Sequence, residues 1–214
     1  MSRKHKPDPG EAQDIAKATQ AFMLYGILPL WIVPGFVDWI YHRRSRIERT
    51  SGTHESAIHA AMMASIGAPV LAGLLLEIDA GVIAFMLASF LVHEGLAVWD
   101  VDYAARLRTV VPNEQHCHSF LEVLPFTAMS FVAVIRARQA RALFGFGPER
   151  PRWALRPKAE GIAPAYVCSI LAAIAAFIAL PYGEELLRCY RVDRTLRSHV
   201  DAPIEPREQE KPIG

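Results

Sequence analysis

HEGLAVWDVDYAARLRTVVPNEQHCHSFLE, residues 93–122, leaves one apolar run, carries a dense set of metal-competent side chains, and enters the next apolar run. On a helix, Asp100 follows His93 by almost two turns, so both project from one face. Pro112-Asn113 breaks the chain and restarts it. From there Glu114, His118 and Glu122 recur every four residues along one stripe. Imidazoles and carboxylates at helical spacing beside a membrane-like segment are costly to place without a partner or a metal.

Working outward, the flanking segments supply matching groups. Residues 21–40 are long and apolar enough to cross a bilayer, with Pro29 and Pro34 expected to kink them. Asp38 and His42 close that run at i, i+4. A short basic loop (Arg43, Arg44, Arg46, Arg49) follows, and Thr53 is the expected N-cap of a second helix that opens with His54, Glu55 and His59. Glu77-Ile78-Asp79 is a tight return into a third span, residues 80–99, which delivers His93 and Asp100. A fourth helix is expected from Asn113 past Pro125 to about Leu143. A fifth span, residues 162–182, carries only Tyr166, Cys168 and Ser169 as polar groups.

The expected organisation is an all-α integral-membrane helical bundle, with a four-helix metal-binding core and a fifth transmembrane helix. Residues 1–20 read as a disordered polar tail and 21–182 as the multi-pass domain. Residues 183–214 read as an amphipathic, Arg-rich surface helix and a disordered tail. Composition agrees: of 214 residues 52% are hydrophobic, and the net charge is +1. Lys and Arg gather in loops and at the ends, which suits loops bordering a bilayer and argues against nucleic acid as a partner. Cys117, Cys168 and Cys189 are widely spaced and imply no disulfide framework. The polar start contains no apolar h-region, so no secretory signal is expected.

In successive antiparallel spans, Asp38/His42, Glu55/His59, His93/Asp100 and His118/Glu122 fall on one membrane face. A single such pair is more often a satisfied polar crevice than a metal site. Four pairs at one depth favour a shared site of Asp38, His42, Glu55, His59, His93, Asp100, Glu114, His118 and Glu122. Imidazole with carboxylate and no cysteine cluster suits two iron ions, with manganese or zinc as alternatives. Facing helices that contribute carboxylates and histidines are the design of soluble di-iron carboxylate bundles, although the spacing here is acid-x-x-x-His rather than Glu-x-x-His.

HESAIH (residues 54–59) and EQHCH (residues 114–118) give residues 38–122 a resemblance to the integral-membrane histidine-box oxygenases, the lipid desaturases and hydroxylases. The usual HxxxH or HxxHH spacing is not reproduced. The resemblance implies O2-dependent oxidation of a lipid or other apolar substrate by a metal pair, with an electron donor protein as a candidate partner.

Residues off the stripes need other roles. His116 lies about 200° around the helix from His118. Either it acts from outside the ligand set, or the segment is extended and both histidines chelate together. His54, Glu94 and Asp102 are similarly offset and are expected to support ligands from behind. Tyr103 could hydrogen-bond a ligand or simply pack. Arg106 and Arg108 could pair with Asp102 and Glu114, or meet a lipid headgroup. Two rival functions stay open. One is a zinc hydrolase of a lipid amide or ester, for which the carboxylates are too many. The other is a haem, metal or proton carrier, which leaves the acids unexplained. Twelve Lys and Arg fall on the metal face and eleven opposite, so only the short Arg43 to Arg49 loop favours a cytoplasmic site in the cell membrane.

Overall fold

The computed structural model describes residues 9–200, and among them the chain is all-α. No strand forms there; one isolated bridge pairs Leu76 with Pro157. Five helices are long and apolar enough to cross a membrane: Gly10–Ser45, Gly52–Leu75, Ala80–Leu107, Pro112–Ile135 and Pro164–Leu196. Between 11% and 28% of each apolar window is buried inside the bundle, so most of that surface faces outward. Leu91, Val98 and Val134 are each more than 60% exposed. In water such a surface would drive aggregation; against lipid it is the expected exterior. The protein is an integral membrane protein.

The first span is α1 (Pro9–Phe22), a π-helical turn (Met23–Ile27) and α2 (Leu28–Ser45) in one continuous helix. Residues 9–20 are therefore helical and not a disordered tail, because their Ala- and Gln-rich sequence favours extension of the span. The remainder of that expected tail, residues 1–8, lies outside the described residues. Then follow α3 (Gly52–Leu75), α4 (Ala80–Leu107) and α5 (Pro112–Ile135), the last with Pro112 in its first turn. The fourth run does not continue to Leu143 as one helix. It breaks at Arg136, and α6 (Ala137–Leu143) starts afresh.

The fifth span is α7 (Pro164–Ile174), a second π-helical turn (Ala175–Ala179) and α8 (Leu180–Val200). The expected boundary at residue 183 does not exist: Gly183 is followed by strong helix formers, and the helix runs straight on. Nor is α8 a surface element, since its inner face buries Tyr182, Glu185 and Cys189. The expected tail from residue 201 lies outside the described residues.

Both π turns precede a proline. Pro29 and Pro181 would clash with the carbonyls of Tyr25 and Phe177, four residues earlier, and each of those lies inside a widened turn. In the bundle α3 packs against α4 and α8, α2 against α5 and α8, and α4 against α5. At Gly35 a Cβ would stand 2.8 Å from Ile178 Cδ1, so the missing side chain sets the approach of α2 to the fifth span.

Loop chemistry fixes the helix ends. The N-terminus of α3 is capped from α8: Asp193 Oδ2 accepts the Thr53 N–H at 3.1 Å. Thr53 is thus the recipient of a cap and not the cap itself. Gly52, at φ +66°, lets the chain enter that turn beneath Asp193. At the opposite end Lys158 donates to the Gly73 and Leu76 carbonyls that close α3. Burial pushes the Lys158 ammonium below its ordinary value against the pull of Glu77, and Arg136 adds to the effect.

Candidate metal centre

Four helix ends and the middle of the fifth span meet at one end of the bundle. The C-terminal turns of α2 bring Asp38 and His42, the first turns of α3 bring Glu55 and His59, and the late part of α4 brings Asp100. The first turns of α5 bring Glu114 and His118, and α8 brings Glu185. The i, i+4 offsets on α2, α3 and α5 keep each pair on one face.

His42 and His59 are the centre of the arrangement. Their rings lie parallel, 8° apart in plane with centroids 4.4 Å apart. Each Nδ1 is 3.0 Å from a different oxygen of the Glu185 carboxylate. An ionised carboxylate only accepts, so both Nδ1 atoms donate; with the rings neutral, both Nε2 atoms present lone pairs on the far side. There His42 Nε2 lies 3.3 Å from Asp38 Oδ2 and 3.7 Å from Glu114 Oε1. His59 Nε2 lies 3.2 Å from Asp100 Oδ1 and 3.8 Å from Glu55 Oε1. His118 Nε2 closes the ring, 3.0 Å from Asp38 Oδ1. Asp38 is steadied by the Tyr182 hydroxyl, which reaches its Oδ2 at 2.9 Å and the Gly35 carbonyl at 3.0 Å.

The electrostatics are lopsided. Asp38, Glu55, Asp100, Glu114 and Glu185 are each at most 3% exposed. Among the described residues the one guanidinium that reaches them is that of Arg108, just beyond the end of α4, whose side chain is 3% exposed and meets Glu55 Oε1 at 2.5 Å and Glu114 Oε1 at 2.6 Å. Burial opposes its charge, but these hydrogen bonds outweigh burial and hold Arg108 above its ordinary value. With the imidazoles neutral, five carboxylates and one guanidinium leave four formal negative charges with almost no water to screen them.

The donor set fits metal ions. Asp38, His42, Glu114 and His118 offer ligand atoms all within 4.8 Å of one another, as do His42, Glu55 and His59. Asp38 Oδ1, His42 Nε2, His59 Nε2 and Asp100 Oδ1 are buried without a hydrogen-bond partner, and they face the same space. Acceptor against acceptor is repulsive unless a cation lies between them. Protonated imidazoles would answer it instead, each Nε2 then donating to Asp38 or Asp100, at the cost of two stacked cations among five carboxylates.

The other sequence-derived residues are placed elsewhere. His93 shares the Asp100 stripe of α4 but lies about 10 Å along the axis, seven residues at 1.5 Å each. Its Nδ1 faces the Met62 carbonyl at 3.3 Å, not the cluster. Glu122, one turn past His118, belongs to neither ligand group. His54 is exposed and packs on Tyr103 and Trp99. Tyr103 donates to the Ser51 carbonyl at 3.2 Å. Asp102 is exposed and pairs with Arg106 at 2.6 Å. Glu94 has one buried oxygen without a partner and meets no cluster ligand. His116 is exposed against Phe120 on a regular helix, which removes the extended alternative.

Glu185, Tyr182 and Asp193 are the residues that sequence reasoning missed. An EELLR run after an apolar span resembles any polar helix end. The available signal was that Tyr182, Glu185 and Cys189 recur at i, i+3, i+7, as on the buried stripe of a helix. No family model matches the chain, and no curated protein or solved structure matches it.

Proposed function

We propose that the cluster holds two metal ions, iron in preference to manganese, and that the protein is a membrane oxidoreductase acting on an apolar substrate. One observation carries the reading: two parallel imidazoles, locked through Nδ1 by one carboxylate, aim both Nε2 atoms at carboxylate oxygens. Two divalent cations would neutralise the four buried negative charges. The 4.4 Å ring separation is close to the roughly 3.5–4 Å spacing of two-metal sites. Asp38, His42, Glu114 and His118 would surround one ion, with Glu55, His59 and Asp100 around the other. Oxygen and imidazole donors without thiolate suit iron and manganese, and seven donors exceed what one zinc requires. Bound there, redox-active ions would supply dioxygen activation and oxidation of a C–H bond, hence hydroxylation or desaturation.

The chain's own residues would do the rest. Glu185 holds both imidazoles in the ligating tautomer. Arg108 offsets two carboxylates, and Tyr182 orients Asp38. A cavity of about 340 Å³, walled by apolar side chains, reaches the cluster at His59 and Tyr182 and brings an apolar substrate alongside it. The basic Arg43 to Arg49 loop borders the cluster end, which supports a cytoplasmic site in the cell membrane and a face for an electron donor protein.

Elemental analysis of detergent-purified protein tests the reading. Close to two iron or manganese atoms per chain are expected, falling sharply in His59→Ala. One zinc per chain would favour a hydrolase, and a Soret band would favour a haem carrier. Metal-free protein of undiminished thermal stability would reduce the cluster to a polar network.

A further inference from the structure

The cavity beneath the cluster contains a buried imidazole that the metal reading does not use. His93 is 5% exposed and lines the cavity together with His59 and Tyr182. Its Nδ1 faces two acceptors. The Met62 carbonyl lies 3.3 Å away, and Ser65 Oγ lies 3.4 Å away with its own hydrogen already given to that carbonyl at 2.7 Å. Nδ1 therefore carries the proton. Among the described residues no carboxylate lies within ion-pair distance of His93, so the ring is neutral and Nε2 is an acceptor. That Nε2 is buried and has no partner.

An unsatisfied acceptor in an apolar wall selects a ligand that brings a donor, because the unpaired alternative costs free energy on every binding event. The way in is lateral. Ala64, Gly67 and Leu71 line the cavity from α3 and are exposed on the lipid-facing side, and a Cβ on Gly67 would meet nothing within 4 Å.

We propose that the cavity binds an apolar, chain-like molecule carrying one hydroxyl, drawn from the bilayer, with that hydroxyl donating to His93 Nε2. This names the substrate class of the proposed oxidoreductase and rests on that reading only for the fate of the ligand. With the hydroxyl at His93, about 10 Å along α4 from Asp100, chain carbons lie against His59 and Tyr182. Oxidation then falls on the chain, remote from the hydroxyl.

The experiment compares two probes, ω-bromoundecanol and its methyl ether, on full-length protein in lipid nanodiscs. Bromine quenches tryptophan, and Trp31 lines the cavity. The signal is the quenching that disappears in Trp31→Phe, with each probe's concentration counted in the lipid. The alcohol is expected to bind about tenfold more tightly than the ether, the size of one net hydrogen bond. His93→Phe should abolish that gap and His93→Gln, which keeps an acceptor, should retain much of it. Equal affinities in the wild-type protein would overturn the proposal without recourse to any variant, as would a gap that survives in a folded His93→Phe. The assay needs neither metal nor turnover. Loss of the hydroxyl preference therefore leaves the metal centre standing, and metal-free protein leaves the binding result standing.

Discussion

On α5, His118 Nε2 lies 3.0 Å from Asp38 Oδ1, whereas His116, two residues earlier, is exposed against Phe120. His118→Ala is expected to lose most of the bound metal and His116→Ala to leave the content unchanged, both read by elemental analysis. Glu185 offers no ligand atom of its own but fixes two imidazoles through their Nδ1 atoms. Glu185→Gln can accept from one Nδ1 through its carbonyl oxygen and presents the other with a donor. Metal affinity should then fall by about 10- to 100-fold, the usual cost of a lost outer partner. Much of this residue set was legible because Asp38, His42, Glu55, His59, Glu114 and His118 are coded at i, i+4 within single helices. His93 was misjudged because a shared helix face says nothing about depth. Seven residues preserve direction and still move a side chain about 10 Å along the axis.

The helices themselves were legible where apolar length decides, and less so at their ends. A strict 3.6-residue phase carried across the π turn Ala175–Ala179 is out by one residue, about 100°, so the inward face of α8 could not be extrapolated from α7. Caps donated by a distant element are equally invisible, as with Asp193 on α3. Asp193→Ala should cost about 0.5–2 kcal/mol, the range for a lost helix cap, measured as a lower unfolding midpoint in detergent. Gly81→Ala tests the packing of the 144–161 loop on the start of α4. Its Cβ would stand 2.9 Å from the Trp153 carbonyl, and backbone cannot yield as a side chain would. A loss of stability with metal content preserved is expected, since the loop sits at the end of the bundle opposite the cluster.

At the scale of the whole molecule, the apolar exterior and the acidic interior make opposite demands. Lipid accepts the outward Leu and Val side chains, while the buried carboxylates repel one another across the centre of five packed spans. On the proposed metal reading, ions bound there would hold the bundle together, so a chelator is expected to lower the apparent melting temperature by several degrees. Restoring iron or manganese should reverse the shift. The same treatment should leave a His59→Ala variant nearly unmoved. The span carrying Glu185 follows the other four in the chain and leaves the ribosome after them. The first four spans can enter the membrane with their histidines and acids already in place, but the imidazoles remain free to turn until the fifth span arrives. Ordering of the two imidazoles thereby waits on synthesis of the fifth span, and a chain that stops before Glu185 would expose no ordered cluster to take the wrong ion.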